Sequence, residues 1–511
     1  MLMQEKDKRI IRNTIIQYVK ILISAIVSLI STRIVLQQLG IDDYGIFSVV
    51  AGMIALFSIL NGAMTVAVQR YLSYEIPLGD DAKINSIYNT SISLHIILAF
   101  IIALVCETIG LYFLRTQMVF APNKMTDVEI VYHCVVVAMM LNVFSIPQQA
   151  ALIAYEKFLY IALISIVESL LKLGASIILI FILYKKLIIY SLSYVLISFF
   201  VCWAYVLLTR RTNRTLKFQI CLDRNRVRQL MSFASWNFLG AIANVGRIQG
   251  INILLNMFFG TVINAAYGVA NQVNSQLLIL SSTIFQSSNS QVIQAYSIGD
   301  EKRLNSLILK TSKFAFILYY SISLFVFVEV EDLLAIWLGN VPPYCVMFVQ
   351  LMILNSSIDL FSTPLMYVTQ ATGKIKVYFI VVSLIMLLIL PISYWFLKNG
   401  YNPFVVMWVS VVVNILLLIV RSLFVVHNTN LEIKAYWKDV VIKAFLIIAI
   451  SMLIYYPIHT ISLCSKRLLV GGVLTPIIVL VLSYVLLLGR EEKQFLHSNA
   501  KAIIRKVYAN R

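Results

Sequence analysis

Charge is what this sequence has least of. Only 13% of its 511 residues are charged, while 60% are hydrophobic, and mean hydropathy is +0.88. A soluble domain carries about 25% charged residues, so this chain cannot wet its own surface. Single soluble cores stop growing near ~250–300 residues, so the apolar surplus cannot be internal either. Lipid has to cover it. Cysteine is also scarce. The six residues include no C-x-x-C pair, and Cys106, Cys134 and Cys202 fall inside apolar runs, which excludes a disulfide framework and a zinc ribbon. The five histidines are scattered without a partner at metal-ligand spacing, so no metal is expected. Thr372-Gly373-Lys374-Ile375 lacks the earlier Gly and the following Ser or Thr of a phosphate-binding loop, which removes ATP hydrolysis by that route.

What is present is a series of apolar runs long enough to cross a hydrocarbon layer of ~30 Å. They fall near 13–38, 44–69, 84–114, 128–154, 158–183, 187–209, 229–259, 262–296, 306–328, 343–369, 377–397, 404–427, 439–458 and 468–489. The expected fold is therefore all-α and polytopic, with about 14 transmembrane helices. The first run is too long for a signal-peptide core and lacks an A-x-A site, so it reads as a retained helix. Lys and Arg in alternate loops divide roughly 26 against 7, which puts both termini in the cytoplasm. The net charge of +18 is thus a topology signal rather than a nucleic-acid footprint, and the basic stretch Arg210–Arg228 is an ordinary cytoplasmic loop by the same rule. Phe495, Ile503, Ile504 and Val507 among bases suggest an interfacial helix in the tail. Loops on the other side run to about 14 residues, without an acid or histidine constellation, so no enzyme is expected.

An internal repeat organises the chain. Gly79-Asp80 followed by Asn85-Ser86 recurs as Gly299-Asp300 followed by Asn305-Ser306. Gly40 with Tyr44-Gly45 is echoed by Gly260 with Tyr267-Gly268, and Ser145-x-Pro147 with Lys157 by Ser362-x-Pro364 with Lys374. The units implied are a six-helix bundle at 1–209, a basic linker at 210–228, a second six-helix bundle at 229–427, an extra helix pair at 428–489 and a basic tail at 490–511. An even helix count keeps the two bundles parallel, a transporter plan with the site expected between them.

Charges at membrane depth cost roughly 2.5–3.5 kcal/mol each near a helix centre and mark function by default. Lys20, Lys310, Lys313, Arg421 and Lys443 lie near enough to the cytoplasmic face to snorkel. Arg33 sits near the outer end of the first run, where snorkelling and substrate contact are both open. Lys172 is deep, with Glu168 four residues earlier, an order that suits either a self-neutralising helical pair or a site lysine. Arg247 is central in the seventh run with no acid on its own face. Asn237 and Asn244 share its helix, and Gly246 and Gly250 bracket it as a close-packing device. It reads as facing water or an anion, the structural alternative being an ion pair with Asp359. The eighth run carries Asn271, Ser275, Ser282, Gln286 and Asn289 at helical steps, with Tyr267 above. Hydroxyl and amide groups suit sugars and Arg suits phosphate, whereas acids at depth are few: Glu107, Glu168 and Asp359. The balance points to an anionic, hydroxyl-rich substrate.

Arg33, then Leu39-Gly40 and Asp43-Tyr44-Gly45 at the first hairpin, resemble the opening of the bacterial Wzx-type polysaccharide flippases. These belong to the multidrug/oligosaccharidyl-lipid/polysaccharide (MOP) exporter superfamily, whose six-plus-six-plus-two, MATE-like plan is similar to this chain throughout. The resemblance implies a multi-pass protein of the bacterial cytoplasmic (inner) membrane. It would flip undecaprenyl-pyrophosphate-linked oligosaccharide to the outer leaflet by alternating access, for O-antigen, lipopolysaccharide or capsule synthesis. The implied partners are membrane lipids and polysaccharide polymerase or assembly machinery, with no nucleic acid. No cofactor is expected. Energy would come from a Na+ or H+ gradient, with Asp359 or Glu168 as carriers, or from substrate consumption outside. The rivals are a multidrug exporter of the same superfamily, which would place acids in its cavity, and a polytopic polymerase or ligase.

Overall fold

The computed structural model describes residues 2–55, 58–117, 124–212, 216, 218–219, 221–338, 341–461, 467–490 and 492–494. Arg214, Lys217, Cys464, Lys466 and the expected interfacial helix of the tail lie outside them. Every regular element among the described residues is helical. The longer ones begin with α1 (Leu2–Ala55), α2 (Ser58–Glu75), α3 (Asp81–Val105), α4 (Met125–Ala154), α5 (Phe158–Phe181), α6 (Lys186–Thr212) and α7 (Arg224–Ser297). There follow α8 (Glu301–Val328), α9 (Val330–Leu338), α10 (Cys345–Thr372), α11 (Lys376–Lys398), α12 (Val405–Asn428), α13 (Lys443–Ile461) and α14 (Arg467–Leu482). Eleven helices among the described residues are long and apolar enough to cross a membrane. The other three expected runs are helical as well where they are described: one includes the undescribed residues 56–57, one is the polar second half of α7, and one begins in a π-helical turn at Trp437–Ile442. This is an all-α, multi-pass membrane protein.

The recurring glycines and aspartates have a local cause. Gly40 (φ 79°, ψ 173°) and Gly260 (φ 75°, ψ −166°) each break a helix into a hairpin. That backbone region is essentially reserved for glycine. Gly79 and Gly299, at φ 73° and 70°, end one helix in the left-handed conformation. The aspartate after each caps the next helix: Asp80 accepts from the Lys83 N–H and Asp300 from the Arg303 N–H, both at 3.0 Å. The bonds from Lys83 hold the exposed Asp80 carboxyl below its ordinary pKa.

The chain divides into two compact units, Ile11–Ala241 and Ile242–Arg511 with the first ten residues. In the first, α4 is the central helix. Its Val128, Val131 and Val135 pack with Val35 and Leu39 of α1 and Ala99 and Ile102 of α3. Its Leu152 and Ile153 meet Ile161 and Ile164 of α5 and Ile197 and Val201 of α6. The linker is shorter than the sequence suggests, because α6 runs to Thr212 and α7 starts at Arg224. It is also pinned. Leu216 is buried beside Leu72, Ile84 and Leu230, while Asn89 and Ser93 of α3 accept the backbone N–H groups of Gln219 and Cys221. Arg70, expected in a cytoplasmic loop, is buried, its guanidinium over the rings of Tyr71, Tyr74 and Phe233.

In the second unit α8 and α10 are the most enclosed spans. Amides and hydroxyls tie it together: Ser356 donates to Asn274, and Asn414 to Asn355, both at 2.9 Å. The extra helices belong to this unit. Gly471 and Gly472 of α14 let Phe325 of α8 approach, and Tyr455 of α13 donates to the buried Glu329 at 2.8 Å. Two bases expected to snorkel are instead enclosed and paired. Lys313 bonds both oxygens of Glu492 at 3.0 Å, and Arg421 lies 3.5 Å from Asp359. Their sequence position near a helix end says nothing of what packs over them, and here neighbouring helices do.

Candidate functional site

In the first unit α1, α5 and α6 enclose a cavity of about 660 Å³. Ser24, Ser28, Ser31 and Thr32 of α1 line it at steps of four, three and one residues, which brings them to one helix face. Ser169 and Lys172 come from α5 and Tyr190 from α6. Lys172 lies about 21 Å along α5 from Phe158, at 1.5 Å per residue. Its ammonium donates to Glu168 at 2.7 Å and stands 5.2 Å from the ring centre of Tyr194. Glu168 is one helical turn back and also feels the charge of Lys20 on α1. Ser169 donates to Ser24 at 3.1 Å, closing the seam between the helices. The Lys172–Glu168 pair therefore sits beside a hydroxyl-lined space, with the Lys20 ammonium within electrostatic range of the same carboxylate. Arg33 is the neighbour of Thr32 but is absent from this lining; it is exposed and makes no hydrogen bond or ion pair among the described residues.

The second unit brings together four residues singled out in the sequence. Arg247 lies about 20 Å from the Gly260 hairpin, and Asn271 about 16 Å from it on the returning arm of α7. Arg247 donates to Asn244 at 3.1 Å. Tyr267, buried edge-on against Phe348, lies one helical turn before Asn271 and within electrostatic range of Arg247. The Arg247 Nε is enclosed without a partner among the described residues. Gly250 backs directly onto Leu390 of α11, where an added Cβ would sit 2.6 Å from the leucine. Asp359, the structural alternative for Arg247, is paired with Arg421.

Beyond Asn271 the face of α7 stays open at Gln272, Ser275, Gln276, Ser282 and Gln286. An open amide and hydroxyl stripe at membrane depth lines water rather than lipid. Gln286, some 22 Å along the helix from Asn271, is on this stripe but not in the Arg247 cluster. Asn289 has turned from stripe to interior, because 287–293 are buried all round near the Gly299 turn.

The three acids singled out at depth each have a basic partner: Glu107 with His133 at 2.9 Å, Glu168 with Lys172, and Asp359 with Arg421. Glu107 lies in a π-helical turn, Cys106–Gly110, whose Cys106 carbonyl accepts from the Tyr132 hydroxyl at 2.6 Å.

Solved structures align along most of this architecture. A crystal structure of MATE in complex with MaD3S superposes with a TM-score of 0.69 at 16% identity, over 85% of this chain and 97% of that one. An outward-facing multidrug resistance MATE family transporter of the MOP superfamily aligns at 0.69 and 15%, over 82% and 95%. The chain has the fold of the MATE transporters. A MOP superfamily transporter from Pyrococcus furiosus, described as having a binding pocket of reversed polarity that suggests a different function, aligns at 0.68 and 16%, over 84% and 96%. No protein-family model and no curated protein matches the sequence. Within the MATE fold, the serines of α1 are what sequence reasoning missed. Their signal was the spacing of Ser24, Ser28 and Ser31, hidden because serine is routine in membrane helices and nothing local names α5 as the facing partner.

Proposed function

We propose that this protein is a transporter of the bacterial cytoplasmic membrane, with both termini inside, that flips undecaprenyl-diphosphate-linked oligosaccharide to the outer leaflet. The cavity of the first unit carries this reading. At about 660 Å³ it falls in the range that encloses a drug-sized ligand, roughly 300–1,000 Å³. It offers hydroxyls for sugar and an ammonium for phosphate, beside an excess of positive charge. Arg247, bonded to the Asn244 amide and with its Nε unpartnered among the described residues, supplies a second cationic point in the other unit. Alternating access would then expose the bound headgroup first to the cytoplasm and then outside, while the prenyl chain stays in lipid. The expected downstream partner is polysaccharide assembly machinery.

Export of organic cations is the second reading, and Asp359 favours it, because half of its side chain is exposed at the middle of α10. Against it, each acid singled out at membrane depth already has a basic partner, which leaves no free carboxylate among them for a drug cation. The test is complementation of a host strain deleted for this gene. Lys172→Met and Arg247→Ala should abolish surface polysaccharide at normal protein level. Arg247→Lys should rescue only partly, since a point charge cannot make the two parallel bonds of a guanidinium. Full export by a stably inserted Lys172→Met protein refutes the reading. Resistance to cationic drugs that depends on Asp359, without any polysaccharide defect, replaces it with the second.

A further inference from the structure

The charge balance around Glu168 bears on how the charge of a bound substrate is compensated. Empty, the site holds the ammoniums of Lys20 and Lys172 and the carboxylate of Glu168, a net charge of +1. The other titratable groups facing it among the described residues are phenols: Tyr190 of the cavity lining, Tyr194 beside the Lys172 ammonium, and Tyr205 of α6, within electrostatic range of Glu168. A diphosphate diester brings two negative charges that do not titrate near neutral pH. Placed on Lys172 it leaves the site at −1, with the Glu168 carboxylate deprived of its 2.7 Å partner and facing a new anion. Both changes raise the proton affinity of a carboxylate, and low local dielectric strengthens both. One proton on Glu168 restores neutrality.

Given the substrate reading above, on which this step rests, we propose that Glu168 is an exchangeable counterion. The substrate's phosphate displaces it from Lys172, and Glu168 takes up one proton with each substrate bound. The geometry permits the exchange. Lys172 stands in the cavity lining, whereas Glu168 lies one turn outside it, so an anion in the cavity meets the ammonium before the carboxylate. The Ser24–Ser169 bond holds α1 and α5 together meanwhile, so the exchange is a rotation of the lysine side chain rather than a parting of helices. Released outside with the substrate, the bound proton would move outward, so it balances the substrate's charge and opposes rather than draws on an inward proton gradient. This makes Glu168 a charge-balancing residue, while Asp359 stays tied to Arg421.

The experiment is calorimetric titration of the purified full-length protein with a short-chain prenyl diphosphate diester bearing one sugar, in two buffers of different ionisation heat. The wild type should take up about one proton per ligand, and its affinity should fall about tenfold per pH unit as pH rises through neutrality. Glu168→Gln should bind at least as tightly, without proton uptake and without pH dependence. Glu168→Asp, which keeps the carboxylate, should retain both. Lys172→Met should weaken binding tenfold or more. Binding by the wild type with no proton exchange, or uptake that persists in Glu168→Gln, overturns the counterion proposal and leaves the cavity as the substrate site. Undiminished binding by Lys172→Met, or no binding of the diester by the wild type, overturns the substrate reading itself. The wild-type measurement decides the point even if the glutamine variant fails to fold.

Discussion

Glu492 lies just past the last π-helical turn, yet its carboxylate is among the most enclosed charges in the second unit. Lys313 and Glu492 expose only 8% and 7% of their side chains, and the ammonium bonds both carboxylate oxygens at 3.0 Å. Glu492 also accepts the Gly489 N–H. Glu492→Gln keeps the shape and that backbone acceptor but strands a buried ammonium, a change that costs roughly 3–5 kcal/mol. Asp439 also feels Lys313 and keeps the loss toward the lower end of that range. Even so, 3 kcal/mol shifts a folding equilibrium about a hundredfold. The assay is the thermal inactivation half-life of detergent-solubilised protein, because large membrane proteins unfold irreversibly and a rate is what can be compared. Glu492→Gln should shorten it sharply, and truncation after Gly489 should do the same. The double variant Lys313→Met, Glu492→Leu should recover, since replacing a buried pair by apolar residues is often neutral or stabilising. A Glu492→Gln protein as durable as the wild type, or a double variant no better than the worse single one, would refute the reasoning.

Three further outcomes are expected. Gly40→Ala should destabilise the protein by about 1–3 kcal/mol although nothing lies within 4 Å of the added methyl, because the strain is in the backbone at φ 79°, ψ 173°; unchanged thermal stability would show that the hairpin relaxes. Gly250→Ala should cost about 1–3 kcal/mol through overpacking on Leu390, and Leu390→Ala in the same chain should return most of it, which a differential scan of the three variants checks. Cys221, the exposed cysteine of the linker, should react with a membrane-impermeant maleimide in inverted vesicles and not in intact cells; in a Cys464→Ser background, labelling from outside would reverse the orientation.

What the sequence shows and what it hides divides along range. The Gly-Asp repeat was legible because each part acts locally: a glycine that tolerates positive φ, then an aspartate that caps the amide three residues on. Lys172 and Glu168 were legible for the same reason, four residues apart on one helix. Lys313 and Glu492 are 179 residues apart, and nothing in either helix announces the other. The same blindness made Arg421 look like a snorkelling residue and Asp359 look available to Arg247. Their correction strengthens the charge argument. An acid that seems free in the sequence can be matched by a distant base: Arg421 offsets the charge of Asp359, whereas the His133 contact offsets that of Glu107 only with a protonated imidazole. Once Glu107, Glu168 and Asp359 are matched to His133, Lys172 and Arg421, the bases still without an acid of their own include Arg33 and Arg247. Lys20 then competes with Lys172 for Glu168. Membrane depth makes uncompensated charge costly, so this residue of positive charge is what an anionic substrate would neutralise.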